Sequence, residues 1–206
     1  MLDVGAGTGR VALDLAAGGI AVVALDVDPS LLVVLAHRAA ELPVEAVVAD
    51  ARDFSLGRRF PLVLVPMQTL QLLGGPGGRA AFMRRTLAHL RPRGLLAAAL
   101  ADPVLCFDDE HDAPPPPEWC EIGGVRYASR LVDVADEGGC AAIRRIREIT
   151  GPGRHEAREV VVRLDRVSAG EVAAEARALG FVEEPPLHVP ETEEYLGSTV
   201  VLLRAP

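Results

Sequence analysis

Three glycines at alternate positions, Gly5, Gly7 and Gly9, follow directly on the short apolar run from Met1 to Val4, and they limit what this chain can become. Glycine has no Cβ, so a backbone built from it can take left-handed turns and lie flat against a ligand. Val11 to Ala17 then reads as a helix closed by Gly18 and Gly19. A glycine turn that opens a helix points free N–H groups at whatever lies in front of it, which makes a cradle for a small molecule.

The rest of the N-terminal half repeats this alternation. Ile20 to Leu25 is a strand ending at Asp26, and Asp28-Pro29-Ser30 supplies an N-cap acceptor with Pro at the first helical position. Leu31, Leu32, Leu35 and Ala39 follow at helical spacing. Val44 to Ala49, Pro61 to Val65 and Leu95 to Leu100 read as three further strands. Gly74 to Gly78 reads as a flexible turn ahead of a helix over 79–90. Strand and helix in alternation specify a parallel sheet covered on both faces.

Spacing narrows the ligand. A dinucleotide fingerprint, G-x-G-x-x-G, would place its third glycine at position 10, which is Arg10. The string present, Asp3-Val4-Gly5-Ala6-Gly7-Thr8-Gly9, is D-x-G-x-G-x-G and resembles motif I of the class I S-adenosylmethionine-dependent methyltransferases. The resemblance covers residues 1–101 and 168–206. It implies a Rossmann-like, mostly parallel seven-stranded α/β sheet and S-adenosyl-L-methionine as cofactor. It also implies that Asp3, Gly5, Ala6, Gly7, Gly9 and Arg10 form the cofactor cradle. Asp26, 17 residues after Gly9, matches the family's ribose-binding acid, with Val27 beside it. Asp50 and Ala51 match the acid and backbone N–H that meet adenine, with Asp53 a nearby competitor. Two readings stay open for the stretch after the fourth strand: Met67 and Leu70 pack on the adenine while Gln68 and Gln71 orient a substrate, or these residues cap and cover the sheet. The family normally carries helices before motif I, and only four residues precede the glycine turn here, so the expectation is that either the start is truncated or misassigned or the site is unusually open.

The alternation breaks after Asp102. The acidic stretch Asp108 to Asp112 and the prolines Pro114 to Pro117 read as a mobile loop. Three strand-like runs follow, Val125 to Val134, Cys140 to Thr150 and Ala157 to Arg166, with glycine turns between them. They suggest an antiparallel β flap at 103–167, inserted after strand 5 of a single domain over 1–206. Ser168-Ala169-Gly170-Glu171 is a capping box opening a helix, and Phe181 to Val189 and Tyr195 to Leu203 are two closing strands.

Composition excludes several function classes. The net charge is −8, with 10 Arg against 9 acidic residues over 1–103 and 11 against 20 over 104–206, which disfavours nucleic acid as a partner. No apolar run approaches the roughly 20 residues of a membrane span, and no secretory signal is recognisable, so a cytoplasmic protein is expected. Cys106, Cys120 and Cys140 form no C-x-x-C pair and read as reduced thiols, with no metal site.

Because the cofactor already carries an activated methyl group, orientation can supply roughly 7 to 11 kcal/mol without a dedicated acid or base. No catalytic residue is therefore assigned; His111 and Tyr127 are the substrate-side candidates, ahead of His155 and His188. Pro66-Met67-Gln68 lacks the signatures of nucleic-acid amine and cytosine-C5 enzymes, which favours a small-molecule acceptor with an N or O nucleophile. A non-catalytic S-adenosylmethionine-binding or interaction protein stays open as an alternative, and an NAD-dependent oxidoreductase is disfavoured by Arg10. The oligomeric state is not assigned.

Overall fold

A computed structural model describes residues 1–101, 116–192 and 197–206. The chain divides into two compact units, 1–101 with 167–206, and 102–166. The first is built on a seven-stranded sheet: β1 (Leu2–Val4), β2 (Val22–Asp26), β3 (Val44–Val48), β4 (Phe60–Val65), β5 (Leu90–Leu100), β10 (Val182–Val189) and β11 (Ser198–Arg204). Its order is β10-β11-β5-β4-β1-β2-β3, and only the β10–β11 and β11–β5 pairs are antiparallel. The mostly parallel, Rossmann-like α/β sheet expected from the sequence is thus present.

Helices cover both faces because each strand alternates its side chains between two cores. Leu2, Val4, Leu25, Val63, Val65, Leu96 and Leu203 pack with Phe82 and Met83 of α3 (Gly75–His89) and Val172 and Ala176 of α4 (Ala169–Ala178). Ala24 and Val22 pack with Ala12 and Ala16 of α1 (Arg10–Ala17) and Leu32 and Leu35 of α2 (Pro29–Ala39). The cap signals hold. Asp28 accepts the Ser30 N–H at 2.8 Å. Ser168 and Glu171 exchange bonds at 2.8 and 3.2 Å as a capping box.

Two local readings need correction. Gly74 to Gly78 is not a flexible turn: Gly74, at φ 84, is the N-cap of α3, and Pro76 sits in the first turn, where its missing N–H costs nothing. Helix α3 ends at His89, and the chain enters β5 at once from Leu90, earlier than the expected Leu95. His89 anchors that junction from within the core: its Nδ1–H donates to the Arg85 carbonyl at 2.7 Å and its Nε2 accepts the Leu56 N–H at 3.0 Å. Buried Arg79 of α3 holds Glu175 of α4 through two bonds, at 2.9 and 2.7 Å.

The second unit is a four-stranded antiparallel sheet inserted after β5, in the order β6 (Glu118–Ile122), β7 (Val125–Asp136), β8 (Cys140–Gly151) and β9 (Arg154–Asp165). Strands β7 to β9 follow the three expected runs, whereas β6 was not anticipated. Gly123 and Gly124, with φ 59 and 74, make the tight turn that folds β6 back on β7. The acidic stretch from Asp108 to Asp112, and with it His111, lies outside the described residues.

Candidate functional site

Strands β4, β1, β2 and β3 are parallel neighbours, so their carboxyl ends share one edge of the sheet. The chain leaves β1 towards β2 and β3, then returns to β4 on the other side of β1. That reversal is the switch point at which open α/β sheets hold ligands. Along the edge lie, in order, Met67 and Gln68 after β4, the glycine loop after β1, Asp26 and Val27 at the end of β2, and Asp50 and Ala51 after β3.

The three glycines serve three purposes. A Cβ on Gly5 would overlap Thr69, and one on Gly9 would press on Leu13 and Leu35 at 2.9 and 3.0 Å. In front of Gly7 nothing lies within 4 Å, so that position is open to a ligand, and its φ of 54 still favours glycine. The loop is fixed from behind. The Gly5 and Ala6 N–H groups donate to the Leu25 carbonyl at 2.8 and 3.1 Å, and the Arg38 guanidinium donates to the Thr8 carbonyl at 2.9 Å. Arg10, the first residue of α1, is exposed.

Half-buried Asp26 braces the same loop. One oxygen accepts the Gly7 N–H at 2.8 Å and the other the Asp28 N–H at 2.9 Å. Each carboxylate oxygen has a second lone-pair direction, so acceptor capacity is left over. Val27 beside it is 68% exposed, and Met67 is 45% exposed. Apolar side chains held in water at a strand-end edge are suited to flanking a flat ring.

Asp3 differs from every other described acid in the unit. It is fully buried in the middle of β1, and neither carboxylate oxygen has a full hydrogen bond among the described residues. Burial, aided by the nearby Asp26 charge and opposed by a weak interaction with the Ala12 backbone, pushes its pKa up to about 6. A buried carboxyl without partners is costly unless a donor or a cation completes it.

Two sequence assignments meet competition. Both oxygens of Asp50 are engaged by Arg52, through its N–H at 2.8 Å and its guanidinium at 2.6 to 3.2 Å, which holds the carboxyl below the usual range. Gln71, like the fully buried Leu70 before it, turns inward. It is 1% exposed, donates to the Ala101 carbonyl at 2.8 Å and accepts the Ala101 N–H at 3.0 Å. It fastens the end of β5, because leaving that backbone unpaired in the core would be unfavourable, and it is withdrawn as a substrate residue. Gln68 stays at the edge, with Met67 and Gln68 both in the left-handed region at φ 55 and 61. The backbone there is strained, a condition that clusters at ligand sites.

Sequence reasoning missed Thr69, Arg38 and Arg52. Arg52 had a local signal in Asp50-Ala51-Arg52; Thr69 and Arg38 act across long separations, 64 residues from Gly5 and 30 from Thr8, that no local pattern displays.

An open sheet of order 3-2-1-4-5 with a reversed closing pair, and a glycine loop at its switch point, is the architecture of the class I methyltransferases. Residues 1–94 match the family described as "Methyltransferase domain". That likeness to a methyltransferase domain covers just under half of this chain. Cypemycin N-terminal methyltransferase from a Streptomyces species is 33% identical over 104 residues, 50% of this chain and 42% of that protein. The match thus spans less than half the length of that curated relative. Among solved structures, an amino pentose methyltransferase from Micromonospora echinaspora, described as bound to S-adenosylmethionine and involved in calicheamicin biosynthesis, aligns with TM-score 0.71 at 22% identity. The alignment covers 99% of this chain and 82% of that one. A sugar N-methyltransferase from a Streptoalloteichus species gives TM-score 0.74 at 20% identity, covering 100% and 79%. These likenesses establish the fold. Among the described residues no helix is long and apolar enough to cross a membrane.

Proposed function

We propose that the chain transfers a methyl group from S-adenosylmethionine to a nitrogen, or failing that an oxygen, of a small molecule. The observation that carries the reading is Asp3: a buried carboxylate with unfilled acceptor positions, two residues ahead of a glycine loop at the switch point. The ammonium of the cofactor's amino-acid end is the kind of group that would complete it. The open front of Gly7 would let the cofactor lie against the loop, and Asp26 would accept the ribose hydroxyls with its remaining lone pairs. Val27 and Met67 would flank the adenine, with Ala51 behind them. Asp50 would reach the adenine amino group only if Arg52 shares it. When bound, the cofactor supplies a methyl already activated on sulfur.

For the chain's residues the task is then orientation. Gln68, held by its strained backbone at the same edge, would align the acceptor's nucleophile through its side-chain amide. A nitrogen acceptor is supported by the names of the relatives, which include a peptide N-terminal and a sugar N-methyltransferase. Calorimetry with S-adenosylhomocysteine, with NAD as control, tests the cofactor. Micromolar binding of the former alone is expected, and the reverse would overturn the reading. Asp26→Ala should weaken that binding by about 2 kcal/mol through loss of charge-assisted bonds to the ribose. Transfer of labelled methyl to a panel of small amines and alcohols tests the acceptor, with amines expected to react. Binding without transfer to any of them would convert the chain to a non-catalytic cofactor-binding protein.

A further inference from the structure

The four-stranded sheet carries a groove of about 560 Å³ that the methyl-transfer reading does not use. That size falls within the roughly 300 to 1,000 Å³ of small-molecule sites. Cross-strand pairing sets its walls. Glu118, Ser129, Arg147 and Arg158 are mutually paired in one row across β6 to β9, and Cys120, Tyr127, Ile149 and Glu156 form the neighbouring row of the same face. The groove is lined by the β6 to β8 members of both rows, with Trp119, Ala128 and Glu148 of the intervening row as its floor. One wall is polar and ends in cations; the other is aromatic and aliphatic.

The charges on this face are unevenly matched. Arg145 donates to Ser129 Oγ and pairs with Glu118, both at 2.9 Å, and Arg154 holds Glu156 at 2.8 Å. Both acids of the two rows are therefore already engaged. Elsewhere on the sheet, Arg144, Arg163 and Arg166 have carboxylate partners and Arg126 stacks on Trp119 at 4.7 Å. Arg147 and Arg158 stand directly opposite each other with no ion pair or hydrogen bond among the described residues. Arg130 shares that condition but lies on the other face of the sheet.

Directly opposed positions bring Cβ atoms to about 4.5 to 5.5 Å, and like charges there repel. An oxyanion between the two guanidinium groups turns that repulsion into paired charge-assisted hydrogen bonds. The chain as a whole carries a net charge of −8 and repels anions, so any anion bound must be held by a local feature such as this pair.

We propose that this groove binds a small organic anion: a flat or apolar body lies on Tyr127 and Ile149, and its carboxylate or phosphate engages Arg147 and Arg158. The site stands independently of the methyl-transfer reading. Calorimetry on the full chain with phenyl phosphate, benzoate, inorganic phosphate and neutral benzamide decides it. Phenyl phosphate or benzoate should bind saturably and about tenfold more tightly than benzamide or inorganic phosphate, and the tighter of the two identifies the acidic group. Arg147→Gln and Arg158→Gln should each weaken that ligand about fivefold or more. Tyr127→Ala should weaken phenyl phosphate while leaving inorganic phosphate unchanged. Absence of saturation by all four probes up to about 10 mM, or an affinity indifferent to both arginine substitutions, would overturn the proposal. Circular dichroism checks that each variant folds. S-adenosylhomocysteine titrated into the unsubstituted chain keeps the two readings apart: its failure to bind would remove the methyl-transfer assignment and leave this groove untouched.

Discussion

In the seven-stranded unit the decisive ionisable groups are out of water. Asp3 is fully buried with no full hydrogen bond among the described residues, and Arg79 meets Glu175 with 4% of its own surface exposed. In the four-stranded unit the ion pairs ride on the surface, as in Arg154–Glu156 and Arg163–Glu137, and its buried described residues are Leu131, Ala141, Ala142 and Leu164. The difference teaches where charge can do chemistry. A group taken from water interacts strongly with whatever arrives, because little solvent screens it, whereas an exposed pair is screened and replaceable. The first unit can thus hold a cationic ligand by completing a buried acid. The second can hold an anion only where exposed arginines have no acid partner among the described residues.

Breaking the buried pair should give the largest effect. Arg79→Met strands Glu175, which retains some solvent access, and should lower the unfolding free energy by roughly 3 kcal/mol in urea denaturation. Adding Glu175→Leu should return most of that loss; a simple sum of the two single losses would show that the pair is not coupled.

Asp3 sharpens the comparison through pH. Its pKa is raised to about 6 in the folded chain from 3.8, so the folded state binds more protons between these values. Its contribution to stability is full below about pH 4 and is lost as pH rises through 6, by about 3 kcal/mol in total. Asp3→Asn should therefore gain on the natural chain in thermal or urea unfolding as pH goes from 4 to 7, while its affinity for S-adenosylhomocysteine falls. A constant difference across that range would mean that Asp3 does not titrate as described.

A smaller effect separates fold from ligand. Gly7→Ala adds a methyl group to open space at φ 54 and should cost only about 1 kcal/mol of stability. Cofactor affinity should nevertheless fall about tenfold or more, since that space is where the proposed cofactor would lie. Gly5→Ala, which collides with Thr69, should lose more stability than Gly7→Ala; the opposite ranking would reverse the roles given to the two glycines. The smallest effect belongs to the second unit: Arg154→Gln should leave the urea midpoint unchanged within error and insensitive to salt. A clear shift would mean that its exposed pairs carry stability after all.

The fold was legible where the signals are local. The glycine turn at Gly5, Gly7 and Gly9 is written in consecutive residues, the Asp28-Pro29 start and the Ser168–Glu171 box each act within a few residues, and each of these local structures is present. Gly74 to Gly78 was misread because composition alone cannot distinguish a glycine-rich first turn of a helix from a loop. Strand β6 was missed because Glu118 to Ile122 follows directly on a run of prolines, shows no regular polar–apolar alternation, and is exposed and held chiefly by its pairing with β7. Which of the two readings Gln71 takes was not legible, because the partner that makes it a cap on the sheet, Ala101, is thirty residues away.

Sequence alone determined the alternation of strand and helix, the glycine loop and the acids at the strand tips, since backbone propensity and hydrophobic period are written in neighbouring residues. Only tertiary structure decided which of those groups are left wanting a partner. Strand order buried Asp3 with no full hydrogen bond among the described residues, and strand register set Arg147 across from Arg158. Both facts arise from juxtaposing residues distant in the chain, and the free energy of a buried or opposed charge depends on those neighbours rather than on the residue itself.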